Sequence, residues 1–217
     1  MIPDFSKRSN RPEIMDDLSL PKATLAQVLE DIDRANRLLG GNRTTLTAVR
    51  QLVKGHPKES YIVMDIGCGD GSMLREVVLF FRKANIQVRA IGIDINENAL
   101  DIARKLSAEF PEIRYRNQDV LAPISQELSC DILITTLTLH HFKNPEIVPL
   151  VQRFVKLARM GIVINDLQRS VLAYGLFKAF SAIFIRTRVA KNDGAISILR
   201  GFRRRELLAF SRQIPDV

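Results

Sequence analysis

Apolar residues along the chain follow two rhythms, helical spacing at first and then short continuous runs, and the change comes near residue 60. From Lys22 to Leu39 the residues Leu25, Val28, Leu29, Ile32, Ala35, Leu38 and Leu39 recur three and four apart. That spacing predicts an amphipathic helix, which Gly40-Gly41 ends. A second helix is expected from about Thr44 to Lys54, leading through Gly55-His56-Pro57 into the core. Residues 1–57 therefore read as a helical N-terminal extension, able to act as a lid on a main domain spanning residues 58–217.

From Tyr61 onward, apolar runs alternate with amphipathic segments. Strands are expected at Tyr61 to Ile66, Val88 to Asp94, Ile113 to Asn117, Asp131 to Thr136 and Gly161 to Asn165. Helices are expected at Ser72 to Ala84, at Glu97 to Phe110 and within Pro145 to Ala158. Parallel strands need crossover connections, so this alternation implies an α/β fold, a doubly wound, mainly parallel sheet of five strands with helices on both faces. Pro149 stands where the helix after strand four should already be running, so either its first turn is irregular or regular helix begins at Pro149. After Asn165 come an apolar helix from Val171 to Ile185, a loop around Lys191-Asn192-Asp193-Gly194, an extended piece from Ile196 to Leu199 and a last helix near Arg204 to Ser211. A sheet that stops at strand five leaves an open edge, which favours pairing with a second copy as a homodimer.

With 217 residues and 46% hydrophobic content, the chain is long enough for one substantial core. Its two cysteines, Cys68 and Cys130, make neither a disulfide framework nor paired zinc spacing, and no metal is expected; a reducing cytoplasm suits them. Met1 to Leu20 lacks the apolar core of a secretory signal, and no stretch approaches the roughly 20 apolar residues of a membrane span. The apolar helix at Val171 to Ile185 carries Lys178 and is followed by Arg186 and Arg188, which reads as a buried, site-covering helix, with contact to a membrane surface as the alternative. The net charge of +8 favours phosphates or anionic lipid, and its excess lies at Arg186, Arg188, Lys191, Arg200, Arg203, Arg204 and Arg205. There is no Trp and there are only three Tyr, so the stacking residues of a nucleic-acid module are missing.

The expected first strand runs straight into Gly67-Cys68-Gly69-Asp70-Gly71-Ser72 and then into a helix, an arrangement that sets a ligand against bare backbone at a helix N-terminus. Asp94 closes the next strand, at the switch point where open α/β sheets bind ligands. The third glycine, Gly71, comes one residue too early for a nicotinamide-dinucleotide fingerprint, whose place is held by Ser72.

These residues resemble the first motif of the class I S-adenosylmethionine-dependent methyltransferases, an acid two residues before Gly-x-Gly-x-Gly, here Asp65-Ile66-Gly67-Cys68-Gly69-Asp70-Gly71. The likeness continues through Gly92-Ile93-Asp94-Ile95-Asn96, Asn117-Gln118-Asp119-Val120 and Cys130 to Thr136, in the family's order. It implies a Rossmann-like methyltransferase sheet, its usual last two strands either absent or lost by shortening of the chain, and S-adenosyl-L-methionine as cofactor. It also implies Gly67, Gly69 and Gly71 along the methionine part of the donor, with Cys68 beside them as packing and Asp65 near the amino group. Asp94, with Ile95 next to it, would take the ribose hydroxyls; Asp119 and the Val120 backbone would take the adenine; Thr135 or Thr136 would approach the methionine end. A closer similarity, to bacterial quinone- and polyketide-type methyltransferases of small molecules, rests on Arg11-Pro12-Glu13-Ile14-Met15-Asp16-Asp17, Asn36-Arg37-Leu38-Leu39-Gly40-Gly41 and Asn165-Asp166-Leu167-Gln168-Arg169-Ser170.

Methyl transfer from a sulfonium is an in-line displacement, so the protein must align an acceptor and remove its proton. His140 and His141, following strand four, suit a general base at neutral pH or a packing role under the next helix. Asp166, just past strand five, would orient a base or bind a hydroxyl, and Arg169 would pair with Asp166 or with an acidic substrate group. Tyr174, Phe177, Phe180 and Phe184 would make a greasy wall or simply core, so the expected acceptor is a hydrophobic or aromatic small molecule with a hydroxyl or acidic carbon. Two rivals stand beside this reading. One is a nucleic-acid methyltransferase, motivated by charge but without the Asn/Asp-Pro-Pro-aromatic motif after strand four, where Thr136-Leu137-Thr138-Leu139 stands. The other is a non-catalytic protein that only binds the donor.

Overall fold

The computed structural model describes residues 3–122 and 128–214. Five strands, β1 (Ser60–Ile66), β2 (Gln87–Asp94), β3 (Ile113–Asn117), β4 (Cys130–Thr136) and β5 (Ala158–Asn165), form one parallel sheet in the order β3-β2-β1-β4-β5. Strand order reverses between β1 and β4, so the connections leaving their C-terminal ends go to opposite faces and a crevice opens between them. The expected doubly wound α/β fold is the fold observed.

Eight helices accompany the sheet among the described residues: α1 (Lys22–Leu38), α2 (Gly41–Gly55), α3 (Ser72–Lys83), α4 (Glu97–Leu106), α5 (Asn144–Leu157), α6 (Val171–Phe184), α7 (Arg188–Arg200) and α8 (Arg204–Ser211). Side chains alternate along β1, and the two faces are covered by different helices. Tyr61 and Val63 meet Val49 and Val53 of α2 and Val77 and Phe81 of α3, whereas Met64 and Ile66 share a core with Ile147, Leu150 and Phe154 of α5. Each fully buried aliphatic or phenyl side chain contributes about 1.5–3 kcal/mol. The N-terminal extension joins this packing: α2 supplies half of one face, while Leu25 and Leu29 of α1 pack on Ala99 of α4, and Val28 on Ile185 and Ala190.

Four expectations are corrected. Helix α5 runs regularly from Asn144, with Pro145 in its first turn and Pro149 inside it. Pro149 is exposed, and so near the helix start its missing N–H deprives only the Pro145 carbonyl of a partner. Helix α4 stops at Leu106, four residues early. The loop at Lys191–Gly194 and the extended piece at Ile196–Leu199 are instead the continuous helix α7. Lastly, α6 is not buried: of its residues only Ser181 is fully enclosed, while Leu172 and Ile183 are 71% and 76% exposed. No helix among the described residues is long and apolar enough to cross a membrane.

The segment before α1 straps the C-terminal half. Phe5 is buried, its carbonyl accepts from Arg169 Nε at 3.0 Å, and Ser9 N–H donates to the Leu199 carbonyl at 3.0 Å. Arg169 pairs with Glu206 at 2.6 Å and not with Asp166, so the expected pairing is corrected: its fully buried guanidinium ties the strap to the start of α8.

Candidate functional site

The turn from β1 into α3 is built on positive-φ glycines, with Gly67 at 70°, Gly69 at 53° and Gly71 at 75°. At Gly67 the lack of a side chain matters twice, since a Cβ would also lie 2.3 Å from the Thr138 methyl. The Gly67 and Cys68 N–H groups bond the Ile93 carbonyl, which draws the loop over the end of β2.

Asp94, at that end, is held by the backbone: Oδ2 accepts the Gly69 N–H and Oδ1 the Asn96 N–H, both at 2.9 Å. Burial raises its pKa, partly offset by those two bonds. Asp65 is 2% exposed and its Oδ1 has no protein partner. Burial, then the charges of Asp94 and Asp70, push it well above the usual carboxylate range. Such a carboxylate calls for a cation from outside the chain. Cys68 is buried against Gly92, its thiol pKa raised well above normal by that burial, so it is packing and not a nucleophile.

A cavity of about 620 Å³ opens at the switch point. Asp65, Gly67, Cys68, Gly69, Asp94, Ile95, Asp119, Val120, His140 and His141 all line it. Gly71 does not: it is the N-cap of α3, packed on Tyr115. Thr135 points into the core at 1% exposure, and Thr136 takes the wall position instead, its hydroxyl 3.1 Å from that of Thr45. Of the expected aromatic wall only Phe177 reaches the cavity, because Tyr174 packs edge-on against Phe5 and Phe180 stacks on Phe184. Leu25, Leu29 and Ile32 of α1 form the roof, and Ala190, Ser197 and Ile198 of α7 the far side.

Opposite the glycine loop stands a cluster that sequence reasoning found only in part. His140 is 3% exposed; its Nδ1 lies 2.7 Å from Asp166 and its Nε2 3.4 Å from Glu13. His141 has Nδ1 2.8 Å from Asp16 and Nε2 3.9 Å from Glu13. Asp166 does not line the cavity; it braces His140 from behind. Burial pulls the His140 pKa down, but Asp166 and Glu13 outweigh it and raise the ring to about 9. Two flanking carboxylates thus favour the protonated form of the His140 ring. Burial would raise Asp16, yet His141 and Arg200 hold it far below the usual range.

Two arginines fix this turn. Arg8 donates to the His140 and Phe142 carbonyls at 2.9 and 3.0 Å, and Arg200 donates to the His141 carbonyl at 2.7 Å and to Asp16 at 2.8 Å. Arg200, expected to belong to the basic surface excess, is thus internal, at 8% exposure. Asp193 of α7 accepts the Ile14 and Met15 N–H groups, setting the short 3₁₀ turn at Ile14–Asp16 that flanks Glu13. Sequence reasoning reached Glu13 and Asp16 only through a family likeness, and the local signal was no more than acids and a Pro ahead of the first long helix.

No curated protein matches the chain in sequence. Residues 63–161 match a family model described as a methyltransferase domain. Among solved structures, the plantazolicin methyltransferase BpumL in complex with a triazolic desmethylPZN analog and SAH is similar at TM-score 0.62 and 18% identity, over 90% of this chain and 74% of that one. Magnesium protoporphyrin IX methyltransferase (ChlM) from Synechocystis PCC 6803 with bound SAH gives TM-score 0.56 and 17% identity, over 81% and 73%. The citrinin polyketide synthase CMeT domain gives TM-score 0.50 and 20% identity over 58% of this chain, which spans only 34% of that structure. At these identities the likeness establishes a shared fold.

Proposed function

From the match of residues 63–161 to a methyltransferase-domain model, we propose that the chain transfers a methyl group from S-adenosylmethionine to a hydroxyl or acidic carbon of a hydrophobic or aromatic small molecule. One observation carries the reading: the bare Gly67–Gly69 backbone, the braced Asp94 and the unpartnered Asp65 share one wall of a cavity whose roof is apolar. The neighbours crystallised with SAH share this fold.

The residues fit the donor. Asp65, buried and without a cation, suits its ammonium. Asp94, anchored by the Gly69 and Asn96 N–H groups, has two carboxylate oxygens with further lone pairs to offer ribose hydroxyls. Ile95, Val120 and Asp119 line the part of the cavity beyond Asp94, where the adenine would lie. When bound, the donor supplies an electrophilic methyl on a sulfonium, so the chain need only bring up a nucleophile and exclude water.

His140, fixed by Asp166 at Nδ1 and facing Glu13 with Nε2, sets a positively charged ring behind this part of the wall, and that charge favours an acceptor oxygen that reacts as its anion. That selects acceptors that ionise readily, such as phenols and enols. Leu25, Leu29, Ile32, Phe177 and Ile198 supply the apolar surface for the rest of such a molecule. A phosphate backbone is a poor occupant, since Glu13, Asp16, Asp65, Asp70, Asp94 and Asp193 all line the cavity.

Calorimetry with S-adenosylhomocysteine on wild-type protein and Asp94→Ala tests the donor site, and mass spectrometry of phenol and β-dicarbonyl panels with S-adenosylmethionine tests transfer. Uptake weakened at least about tenfold by the substitution, equivalent to lost hydrogen bonds to a charged group, is expected. No uptake, or uptake indifferent to Asp94, overturns the proposal.

A further inference from the structure

Glu13, His140 and His141 meet at the cavity wall in an arrangement that hydrogen bonding within the chain does not use up. Glu13 Oε1 and His140 Nε2 are both buried and neither has a hydrogen-bond partner. One ligating atom from each of the three residues lies within 4.8 Å of the others. The ring orientations show what the cluster is set up for. Each imidazole gives its Nδ1 to a separate carboxylate, His140 to Asp166 at 2.7 Å and His141 to Asp16 at 2.8 Å. Each is thereby left with Nε2 turned toward the same Glu13 carboxylate, at 3.4 and 3.9 Å.

We infer that Glu13, His140 and His141 form a binding site for a divalent first-row transition cation, of which zinc, cobalt and iron(II) are the class the donor set selects. Two imidazole nitrogens and one carboxylate leave a coordination position open, and a carboxylate behind each ligating histidine fixes its tautomer and orients its ring. Ligands about 2.1 Å from a tetrahedral metal stand about 3.4 Å apart, close to the 3.4 and 3.9 Å between each histidine and Glu13, and the remaining separation, bounded at 4.8 Å, closes by a rotation of the more exposed His141 ring. The cation takes the place of the ring proton at His140 Nε2.

Charge permits it. Around the three ligands lie the carboxylates of Glu13, Asp16 and Asp166 and the guanidiniums of Arg8 and Arg200, one net negative charge with both rings neutral. Arg200 Nη1 is 3.6 Å from Glu13 Oε1, but its hydrogen bonds go to Asp16 and to backbone carbonyls, so Glu13 stays free to ligate. A dication leaves one positive charge facing the cavity, which an ionised acceptor oxygen in the open position neutralises. That last role rests on the methyl transfer proposed above; the cation site itself does not.

The test is titration of the chelator-stripped full-length protein with Zn²⁺ by calorimetry and with Co²⁺ by visible absorption, S-adenosylhomocysteine binding being measured in parallel. About one equivalent of Zn²⁺ is expected, with Co²⁺ giving d–d bands between about 500 and 650 nm that report imidazole and carboxylate ligation. Glu13→Gln keeps the side-chain shape and should weaken Zn²⁺ at least about tenfold, as should His141→Ala at the more exposed ligand. Both variants should keep their circular dichroism and their S-adenosylhomocysteine affinity. The site is refuted if wild-type protein takes up neither ion stoichiometrically, or if folded Glu13→Gln and His141→Ala bind as wild type does. Metal uptake without S-adenosylhomocysteine binding would sink the methyltransferase reading and leave the cation site standing.

Discussion

Asp166 grips His140 twice, one oxygen accepting its backbone N–H at 3.0 Å and the other meeting its Nδ1 at 2.7 Å. The same carboxylate also accepts the Leu167 N–H at 2.7 Å, so β5 and the turn after β4 are clamped at the C-terminal edge of the sheet. This makes Asp166 a positioning residue. In Asp166→Asn one amide face must oppose a donor, which frees the ring to change tautomer. Turnover should fall about 10- to 100-fold while S-adenosylhomocysteine affinity stays within about twofold of wild type. The substitution also removes an anion that raises the His140 pKa, so the alkaline limb of the kcat profile should move to lower pH. Equal losses in kcat and donor affinity, with an unmoved profile, would mean a purely structural role.

In the chelator-stripped protein His140 also gives a pH signature. Its pKa is about 9 folded against an ordinary 6.5, so the folded state binds the proton more tightly than the unfolded chain. The stability this supplies is fully present below pH 6.5 and is lost as pH rises through about 9. Denaturant midpoints between pH 6 and 10 should decline across that interval in wild type and decline less in Asp166→Asn.

Asp65 shows the opposite compromise, stability given up for binding. Burial comes first and the neighbouring Asp94 and Asp70 second in raising its pKa, so the folded protein loses stability as pH climbs above the ordinary 3.8. Asp65→Asn removes that liability at constant shape. Its melting temperature should rise at pH 7 while donor affinity falls. Donor binding to wild type should release a proton as the ammonium pulls Asp65 into its charged form. Calorimetry in two buffers of different ionisation enthalpy reads that proton directly; identical apparent enthalpies would refute the pairing.

The sheet and the glycine loop were legible because local pattern and tertiary role agree there. Each strand is a short apolar run, and Gly67, Gly69 and Asp94 sit where backbone geometry alone requires them. The cavity's far side was not legible, because its logic is long-range. Asn192-Asp193-Gly194 reads locally as a turn, yet Asp193 is spent on the Ile14 and Met15 N–H groups and Gly194 on the close approach of Phe177. Glu13 and Asp16 reach the site only because Arg8, Ser9 and Phe5 strap the N-terminus across α7 and α8, a connection spanning more than half the chain. Periodicity carries no trace of such contacts.

Gly194 offers a direct check on that override. A Cβ there would lie 2.1 Å from Phe177 Cζ, so Gly194→Ala must push α6 and α7 apart although alanine is the better helix former. Overpacking of this kind costs about 1–3 kcal/mol. Urea unfolding should therefore show destabilisation, and Phe177→Leu in the same chain should restore most of it. A stabilised single variant would mean the two helices are not tightly apposed.

The outer face of α6 yields the last prediction, since the apolar run at Val171–Phe184 invites the assumption of burial. Ile183 and Leu172 are 76% and 71% exposed, and truncating a side chain already in water removes almost no packing. Ile183→Ser and Leu172→Ser should each change stability by no more than about 0.5 kcal/mol, the range of ordinary surface substitutions. A buried aliphatic residue at either position would cost several times that. Phe177→Ala, on the inner face of the same helix but only half-buried, should cost clearly more than either serine variant and less than the about 3–5 kcal/mol of a fully buried phenyl. Equilibrium unfolding of the three variants separates the faces, and a large loss at Ile183 would show that in solution a second molecule or another surface covers this side of α6.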